Sequence, residues 1–516
     1  MVKVLGSIWM TLTEKQDREV SLLVKQVRLA FFFVVIFLGV WLRFWRIGEK
    51  SLWLDEVHML ITVKRTLLDG LLQVQDYSAP LYQLMLRTVN HTPFPSEALM
   101  RLPAVLFGCL TIAASWWFAR TLFGSQVALL AACVIAFNAQ MIHYSREARP
   151  YSLFTLTSTL SMTFFFHVTR EMKRVNIAGY IFFSVLLMYS HFYGFLVFAA
   201  QLCYLAVDRF ARRRGDGRPL LLLAMAAVCF LSLPAAWLAF RYIVSGAAGV
   251  KGGWMPSYGP MSVIGVLGEL AYNQPAMGSI FLIPLVASIW PGTDAFELPA
   301  RKGCAGRIAD ASSLWQRKSP AVLCTLWIAV SIFPLIVMRY LYRPVFAPRY
   351  ALPILVPLVS ISFAFMRRYN HGIIVLSMAA FIAMSAPAIY GQLKPDNGVR
   401  ELAGWLNQNA KAEENVYTLD FPSHSTFINP GEMALHYYGY PRRDLKELPL
   451  ALNDSSTKVD VQGDVFSHDR RSYIVSLFFR GEVEAFLNSM KRTYRVKSYD
   501  RSAALFVVEP TGGECR

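Results

Sequence analysis

The chain has 516 residues, of which 55% are hydrophobic and only 16% are charged. A soluble protein of this size would carry about a quarter charged residues, so the composition excludes an ordinary soluble enzyme and indicates a membrane protein. The net charge of +17 does not indicate a nucleic-acid partner, because the Lys and Arg residues cluster in short connectors between apolar segments rather than on one face of a soluble fold. The expected surroundings are therefore a lipid bilayer.

A membrane-spanning helix needs roughly 20 apolar residues. Apolar segments close to this length recur along the chain. About eleven are predicted as spans, near 29–46, 102–120, 126–142, 151–169, 176–190, 192–208, 219–240, 274–290, 320–338, 350–366 and 371–388. The first is predicted to stay uncleaved, because a long polar stretch precedes it and no small-residue cleavage site follows. No structural disulfide is predicted, since five of the seven cysteines lie in apolar segments and Cys304 and Cys515 have no close partner in sequence.

The basic connectors predict the orientation of these spans. With a cytoplasmic N-terminus, TREMKRVN, DRFARRRGDGR, the 300–318 connector and MRRYN all fall on the cytoplasmic side, as the positive-inside pattern requires. Residues 1–28 are then cytoplasmic, residues 29–390 form the membrane domain, and residues 391–516 lie outside. For a bacterium, this orientation means the inner membrane with a periplasmic tail.

The long first outer loop, residues 47–101, is predicted to contain interfacial helices. In EVHMLITVKRTLLDG the apolar residues follow a helical period, and Asp55 can cap the start of this helix. Further helices are expected from Pro80 and from about Ser96, lying on the membrane surface.

The tail differs in composition from the rest of the chain. It combines the amphipathic segment VRELAGWLNQNA with strand-like segments such as NVYTLD, SYIVSLFF and AALFVVEP. This alternation predicts a small α/β domain. The fold class is thus mainly α, a polytopic membrane protein with a C-terminal α/β domain.

Two outer connectors break the charge pattern because they contain arginines. Residues 143–151 contain Arg146 and Arg149, and residues 339–350 contain Arg349. Guanidinium groups bind phosphate as a bidentate fork, and a nearby carboxylate can serve as a general base. Because Asp55 and Glu56 lie on the same predicted face, this pattern indicates chemistry on a lipid-linked phosphate ester.

Several short motifs occur in a recognisable order along residues 29–390. They are Asp55-Glu56 after the first span, Pro80-Leu81-Tyr82, SEALMRLP with Arg101, SREARPYSL at the fourth span, His191-Phe192, and Arg349-Tyr350 at a late span. In this order the chain resembles the GT-C membrane glycosyltransferases. More narrowly, it resembles the bacterial relatives of dolichyl-phosphate-mannose protein mannosyltransferases, which include the aminoarabinose transferases of lipid A.

The resemblance implies an enzyme that moves a sugar from a polyprenyl-phosphate donor to a hydroxyl acceptor on the outer face. The acceptor is a glycolipid, a lipopolysaccharide or other glycan, or a protein. In this family an acid of the first outer loop deprotonates the acceptor, which attacks with inversion. Motif position assigns that role to Asp55, with Glu56 as its neighbour or substitute, and assigns the donor phosphate to Arg146, Arg149 and Arg349.

The same resemblance suggests further residues for the substrate pocket: Glu147, Tyr82, Arg101, His191 and Tyr350. Some relatives bind a divalent metal ion near the base, which makes Asp55 and Glu147 candidate metal ligands. The sequence itself establishes no cofactor.

Structural roles are open for each of these residues. Asp55 can be a helix N-cap and Glu56 a first-turn acid that interacts with the helix dipole. Arg146 and Arg149 can share an ion pair with Glu147, and His191 can be a packed interfacial side chain. The glycine-rich loop 241–275 is either a lid over the acceptor or a plain flexible loop.

Other functions are also open. A polysaccharide ligase or polymerase also joins polyprenyl-linked sugars outside the membrane but uses a diphosphate-linked donor. A transporter or flippase would need charges inside the spans, whereas here they lie in loops. A scaffold with a binding tail is the non-enzymatic alternative.

Overall fold

The computed structural model describes part of the chain, and the helices, strands and contacts given below belong to that part. The described residues are 26, 30–64, 66, 80–89, 96–212, 219–244, 311–341, 348–366, 371–396, 398–411, 413–419, 430–440, 446–447, 450–452, 459–461, 471–477, 488, 494–498 and 503–508. The predicted span 274–290 and most of the candidate lid 241–275 lie outside them. The chain divides into two compact units.

The first unit comprises residues 1–45, 105–145 and 151–392 and is built from helices. They are α1 (Ala30–Phe44), the greater part of α4 (Glu97–Phe123), α5 (Ser125–Phe137), α6 (Ala139–Ser145), α7 (Tyr151–Arg170), α8 (Arg174–Ser190), α9 (Gly194–Arg212), α10 (Pro219–Leu231), α11 (Leu233–Val244), α12 (Ala311–Leu341), a 3-10 helix (Pro348–Ile354), α13 (Leu355–Met366) and α14 (His371–Leu393). Most of these helices are rich in apolar residues, as helices that contact lipid are.

Within the described ranges, two helical stretches are long and apolar enough to cross a membrane, Glu97–Phe123 and Arg349–Met366. The number rises to four if each of two bent pairs is one span: α5 with α6, bent by 59°, and α10 with most of α11, bent by 48°. The helices coincide with ten of the predicted spans, while the exact number of spans stays a prediction.

A buried arginine supports the bend between α5 and α6. The guanidinium of Arg43 donates to the carbonyls of Ile135 and Ala136 at 3.0 Å each, close to the end of α5. It also donates to Ser145 Oγ at 3.2 Å. Asn138, between the two helices, accepts the Met141 N–H at 3.0 Å and so caps α6. The broken helix therefore has side-chain partners for backbone groups that the bend would leave exposed.

Polar side chains join α7, α8 and α9 inside this unit. Ser161 Oγ lies 2.8 Å from Ser184 Oγ and accepts a hydrogen bond from Gln201 Nε2 at 2.9 Å. The Tyr180 hydroxyl donates to Gln201 Oε1 at 2.9 Å. All four residues are buried, so hydrogen bonds supplement packing between these helices, as is common where lipid gives little hydrophobic driving force.

The second unit comprises residues 46–104, 146–150 and 393–516. It contains α2 (Leu54–Lys64), α3 (Pro80–Val89), the first turns of α4, α15 (Gly398–Asn409), α16 (Pro430–Tyr437) and seven strands. The strands are β1 (Asn415–Leu419), β2 (Lys446–Glu447), β3 (Leu450–Leu452), β4 (Val459–Val461), β5 (Ser472–Leu477), β6 (Tyr494–Ser498) and β7 (Ala503–Val508).

Five of these strands form a mixed sheet with the order β2-β1-β5-β7-β6. Strand β1 is parallel to β2 and β5, whereas β7 is antiparallel to β5 and β6. Strands β3 and β4 form a separate antiparallel pair. Apolar side chains of β1, β5 and β7 are buried, among them Val416, Ile474 and Phe506. The structure thus confirms a mainly helical protein with a small sheet, and the outer location of the tail stays a prediction.

One expected boundary differs. The helix expected from about Ser96 and the predicted span 102–120 form one continuous helix, α4. Ser96 caps its start by accepting the Leu99 N–H at 3.2 Å. Pro103 lies inside α4 without ending it, although it stands beyond the first turn and lacks the N–H that would bond the Leu99 carbonyl.

Candidate active site

The two acids of the first outer loop stand in the first turn of α2. Asp55 is half-buried, whereas the side chain of Glu56 is 1% exposed. The Glu56 carboxylate accepts the N–H of Trp53, the residue before the helix, at 3.3 Å. This is the reciprocal bond of a capping box. Asp55 is the second residue of α2, so it does not occupy the N-cap position considered for it.

Glu56 forms a bidentate ion pair with Arg101 of α4. Arg101 Nε lies 2.7 Å from Glu56 Oε1, and Arg101 Nη2 lies 2.7 Å from Oε2. The Arg101 side chain is 3% exposed, so both charges are removed from water and compensate each other. Oε1 also accepts the Ala148 N–H at 2.9 Å. The Glu56 carboxylate is thus surrounded by four N–H donors.

The remaining N–H groups of Arg101 hold the chain segment that leads to α2. They donate to the carbonyls of Ile47 and Lys50 at 2.8 Å each and of Ser51 at 3.0 Å. Together with the pair to Glu56, all five donors of this guanidinium are engaged. Arg101 is therefore placed as a structural centre rather than a group open to a substrate.

The arginine-containing connector after α6 lies against the first turn of α2. Besides the Ala148 bond, Arg149 Nη1 lies 3.4 Å from the Asp55 carbonyl oxygen. Glu147 and Arg149 are buried and Arg146 is half-buried. The structure thus brings the Asp55-Glu56 pair together with the connector 146–150, and the functional roles of these residues stay predictions.

Arg146 of this connector has a perturbed acidity. Burial first and the positive charge of Arg101 second lower its pKa to about 10, while Glu49 opposes the change. The guanidinium remains charged at neutral pH. Because burial and a neighbouring cation both disfavour its charge, an anion bound beside Arg146 would be stabilised.

Tyr82 of α3 belongs to the same unit and is fully buried. Burial raises the pKa of its hydroxyl, and the negative charges of Glu56 and Glu147 raise it further. The hydroxyl therefore stays protonated. It has no hydrogen-bond partner among the described residues, so it has a donor to offer to a bound molecule.

The other motif residues form an aromatic cluster within the helical unit. The His191 ring stacks on Phe154 and Tyr193, with ring centroids 4.8 and 5.3 Å apart. The His191 side chain is buried, and its Nδ1 accepts the Tyr193 N–H at 3.2 Å. This environment agrees with the packed-histidine alternative.

Arg349 and Tyr350 complete this cluster. The Arg349 guanidinium lies over the rings of Tyr151 and Tyr350, 5.7 and 5.6 Å from their centroids. Tyr350 also borders a small cavity, together with Phe154 and Ile354 among others. Two aromatic members were not named as candidate site residues from the sequence, although Tyr151 lies within SREARPYSL and Tyr193 directly follows His191-Phe192.

The described residues do not assemble a metal site. No group of three or more His, Cys, Asp or Glu side chains is positioned there to hold a metal ion. Asp55 and Glu147, the candidate ligands, are thus not joined by a third such side chain in the described part of the chain.

Comparison with known proteins supports the resemblance. Residues 78–237 match the family model of dolichyl-phosphate-mannose-protein mannosyltransferase. No curated protein matches the chain by sequence.

Two solved structures have the same fold. ArnT from Cupriavidus metallidurans bound to undecaprenyl phosphate matches with a TM-score of 0.53 and 13% identity, over 93% of this chain and 97% of that one. An oligosaccharyltransferase from Archaeoglobus fulgidus in complex with Zn and sulfate matches with a TM-score of 0.52 and 10% identity, over 91% and 72%. At these identities the structures show the fold alone.

Proposed function

We infer that this chain, which has the fold of the GT-C membrane glycosyltransferases and a segment of the dolichyl-phosphate-mannose-protein mannosyltransferase family, transfers a sugar from a polyprenyl-phosphate donor to a hydroxyl acceptor with inversion. The observation that carries this proposal is the arrangement at the start of α2. There, the backbone carbonyl oxygen of the half-buried residue Asp55 lies 3.4 Å from Nη1 of Arg149, which belongs to the arginine-containing connector 146–150.

The environments of the two acids assign different roles to them. Glu56 is buried and bonded to the guanidinium of Arg101 and to two backbone N–H groups. Both of its oxygens are engaged by these donors and its side chain is 1% exposed, so an acceptor hydroxyl cannot readily reach it. Asp55 is the more accessible acid, so we assign it as the general base and Glu56 as a positioning residue.

The proposed reaction is a single displacement. Asp55 takes the proton of the acceptor hydroxyl while the acceptor oxygen forms a bond to the anomeric carbon of the sugar. The bond from that carbon to the phosphate oxygen breaks, and its electron pair leaves with polyprenyl phosphate. The attack from the face opposite the phosphate inverts the anomeric configuration.

Arginines are proposed to stabilise the charge that develops on the leaving phosphate. Arg146 and Arg149 are supported by their position beside the first turn of α2, and Arg146 by a buried setting that favours a bound anion. Arg349 is proposed from its motif position and its aromatic surroundings. Tyr82 is proposed to donate a hydrogen bond to a substrate oxygen.

The membrane location follows from the same proposal. A polyprenyl-linked sugar cannot leave the bilayer, so the base must stand where the lipid headgroups are. We propose the bacterial inner membrane with the N-terminus cytoplasmic, residues 391–516 periplasmic, and a glycolipid, glycan or protein as acceptor.

A donor comparison with the purified full-length protein tests the proposal. Undecaprenyl-phosphate mannose, undecaprenyl-phosphate aminoarabinose and a diphosphate-linked sugar are each incubated with a bacterial lipid and glycan extract. We expect release of undecaprenyl phosphate with at least one monophosphate donor and no transfer from the diphosphate donor. Transfer from the diphosphate donor alone would favour the ligase or polymerase, and movement of intact donor across sealed vesicles without release would favour a flippase.

A further inference from the structure

The seven residues that lead to the proposed base, 47–53, form a turn between α1 and α2 that is held from two sides. Arg101 binds three of its carbonyl oxygens, as described above. The backbone N–H groups of the turn bind a different part of the chain. Ser51 N donates to the Asp396 carbonyl oxygen at 2.7 Å, and Leu52 N donates to the Tyr438 hydroxyl oxygen at 2.7 Å.

Both partners belong to the C-terminal part of the chain, within the same compact unit as the turn. Ser51 and Leu52 are 5% and 1% exposed. Water therefore cannot readily replace these acceptors, and a buried N–H without a partner is costly.

Arg400 of α15 adds a third connection from the same region. Its guanidinium forms an ion pair with Glu97 at the start of α4 and donates to the Gly48 carbonyl at 3.3 Å. It also lies over the Tyr438 ring, 5.5 Å from the centroid. A Cβ atom at Gly48 would lie 3.1 Å from the Ala98 side chain, so the turn packs tightly against α4 at this point.

We propose that Tyr438 and Arg400 are positioning residues for the transfer reaction, which makes the C-terminal region part of the catalytic apparatus rather than a separate binding module. The turn has no regular hydrogen-bond ladder of its own. It depends on Arg101 for its carbonyls and on the C-terminal region for two buried N–H groups. Because α2 begins directly after the turn, these contacts fix the backbone that carries Asp55. The proposal rests on the assignment of Asp55 as the base.

Tyr438→Phe in the full-length protein is the informative variant. It removes the hydroxyl acceptor of the Leu52 N–H but keeps the ring beneath Arg400. Gln408→Ala is the matched control, because Gln408 lies exposed on α15. Three quantities are measured in detergent. They are the hydrogen exchange of peptides covering 47–60 and 472–508, and the kcat and the donor KM of sugar transfer with undecaprenyl-phosphate donors.

For Tyr438→Phe we expect exchange in 47–60 to become about ten-fold faster while 472–508 is unchanged. The kcat should fall about three- to ten-fold with donor KM within about two-fold, because the base is misplaced while donor binding is retained. The fall in kcat should be smaller for Arg400→Lys, which keeps the charge, than for Arg400→Gln. Gln408→Ala should behave as wild type.

Unchanged exchange in 47–60 would overturn the proposal, and so would faster exchange with an unchanged kcat. Equal acceleration in 472–508 would also overturn it, because Tyr438 would then stabilise the C-terminal region alone. If wild type transfers no sugar from any donor, the proposed function fails. The exchange data would in that case still show whether Tyr438 holds the turn.

Discussion

Asp55 and Glu56 are neighbours in the chain, but their carboxylates have different surroundings. The sequence could predict that an acid at this position matters, because the pair follows the first span and fits a family motif. It could not predict which acid is held as a structural anion. That distinction depends on Arg101, 45 positions away, and on the Ala148 N–H of a third segment. An arginine at the edge of an apolar segment was the available signal, since such a charge usually needs a buried partner.

The ion pair between Glu56 and Arg101 leads to a stability prediction. Glu56→Gln leaves the Arg101 charge buried without its counter-ion, so the free energy of unfolding should fall by about 3–5 kcal/mol. Glu49→Gln is the control. The pair between Glu49 and Arg46 is exposed, so the loss there should stay below about 1 kcal/mol.

Thermal unfolding of both variants in detergent, alongside sugar transfer, checks this prediction. A Glu56→Gln protein that unfolds like wild type yet transfers no sugar would exchange the roles assigned to the two acids.

At the scale of elements, the sequence predicted the positions of helices better than their continuity. Apolar periodicity and length predicted one span at 126–142. The structure has two helices there, α5 and α6, with a bend between them at Asn138. The segment contains no proline, and the bend depends on Arg43 from another helix, which supplies donors near the end of α5. A partner at such a sequence distance leaves no local pattern. The union of the expected Ser96 helix with the following span was not predicted either, because Pro103 lies between them and a proline usually favours a helix boundary.

The support from Arg43 can be tested by removing its donors. Arg43→Met keeps the length and apolar stem of the side chain but leaves the carbonyls of Ile135 and Ala136 without these bonds. Since a buried unsatisfied polar group costs about 1–3 kcal/mol, the thermal midpoint in detergent should fall measurably. Arg209→Met, an exposed position on α9, should change it little. Equal midpoints for the two variants would show that Arg43 does not support the bend.

At the scale of the whole molecule, composition predicted the class and the strand-like segments predicted the sheet, because both depend on local patterns. The grouping of residues 46–104 and 146–150 with 393–516 was not evident from the sequence. It arises from bonds such as that between Leu52 and Tyr438, which join distant positions through a single backbone N–H. The number of spans and the side on which the tail lies rest on the distribution of Lys and Arg and stay predictions.

The central claim is that Asp55 is the base of a sugar transfer from a polyprenyl-phosphate donor. Asp55→Asn keeps the shape of the side chain but cannot accept a proton. The most direct measurement is the transfer rate of the purified variant beside wild type, with thermal unfolding and donor KM determined on the same samples. We predict a loss of at least about a hundred-fold in rate, with the thermal midpoint and donor KM close to those of wild type. Transfer within a few-fold of wild type would contradict the assignment.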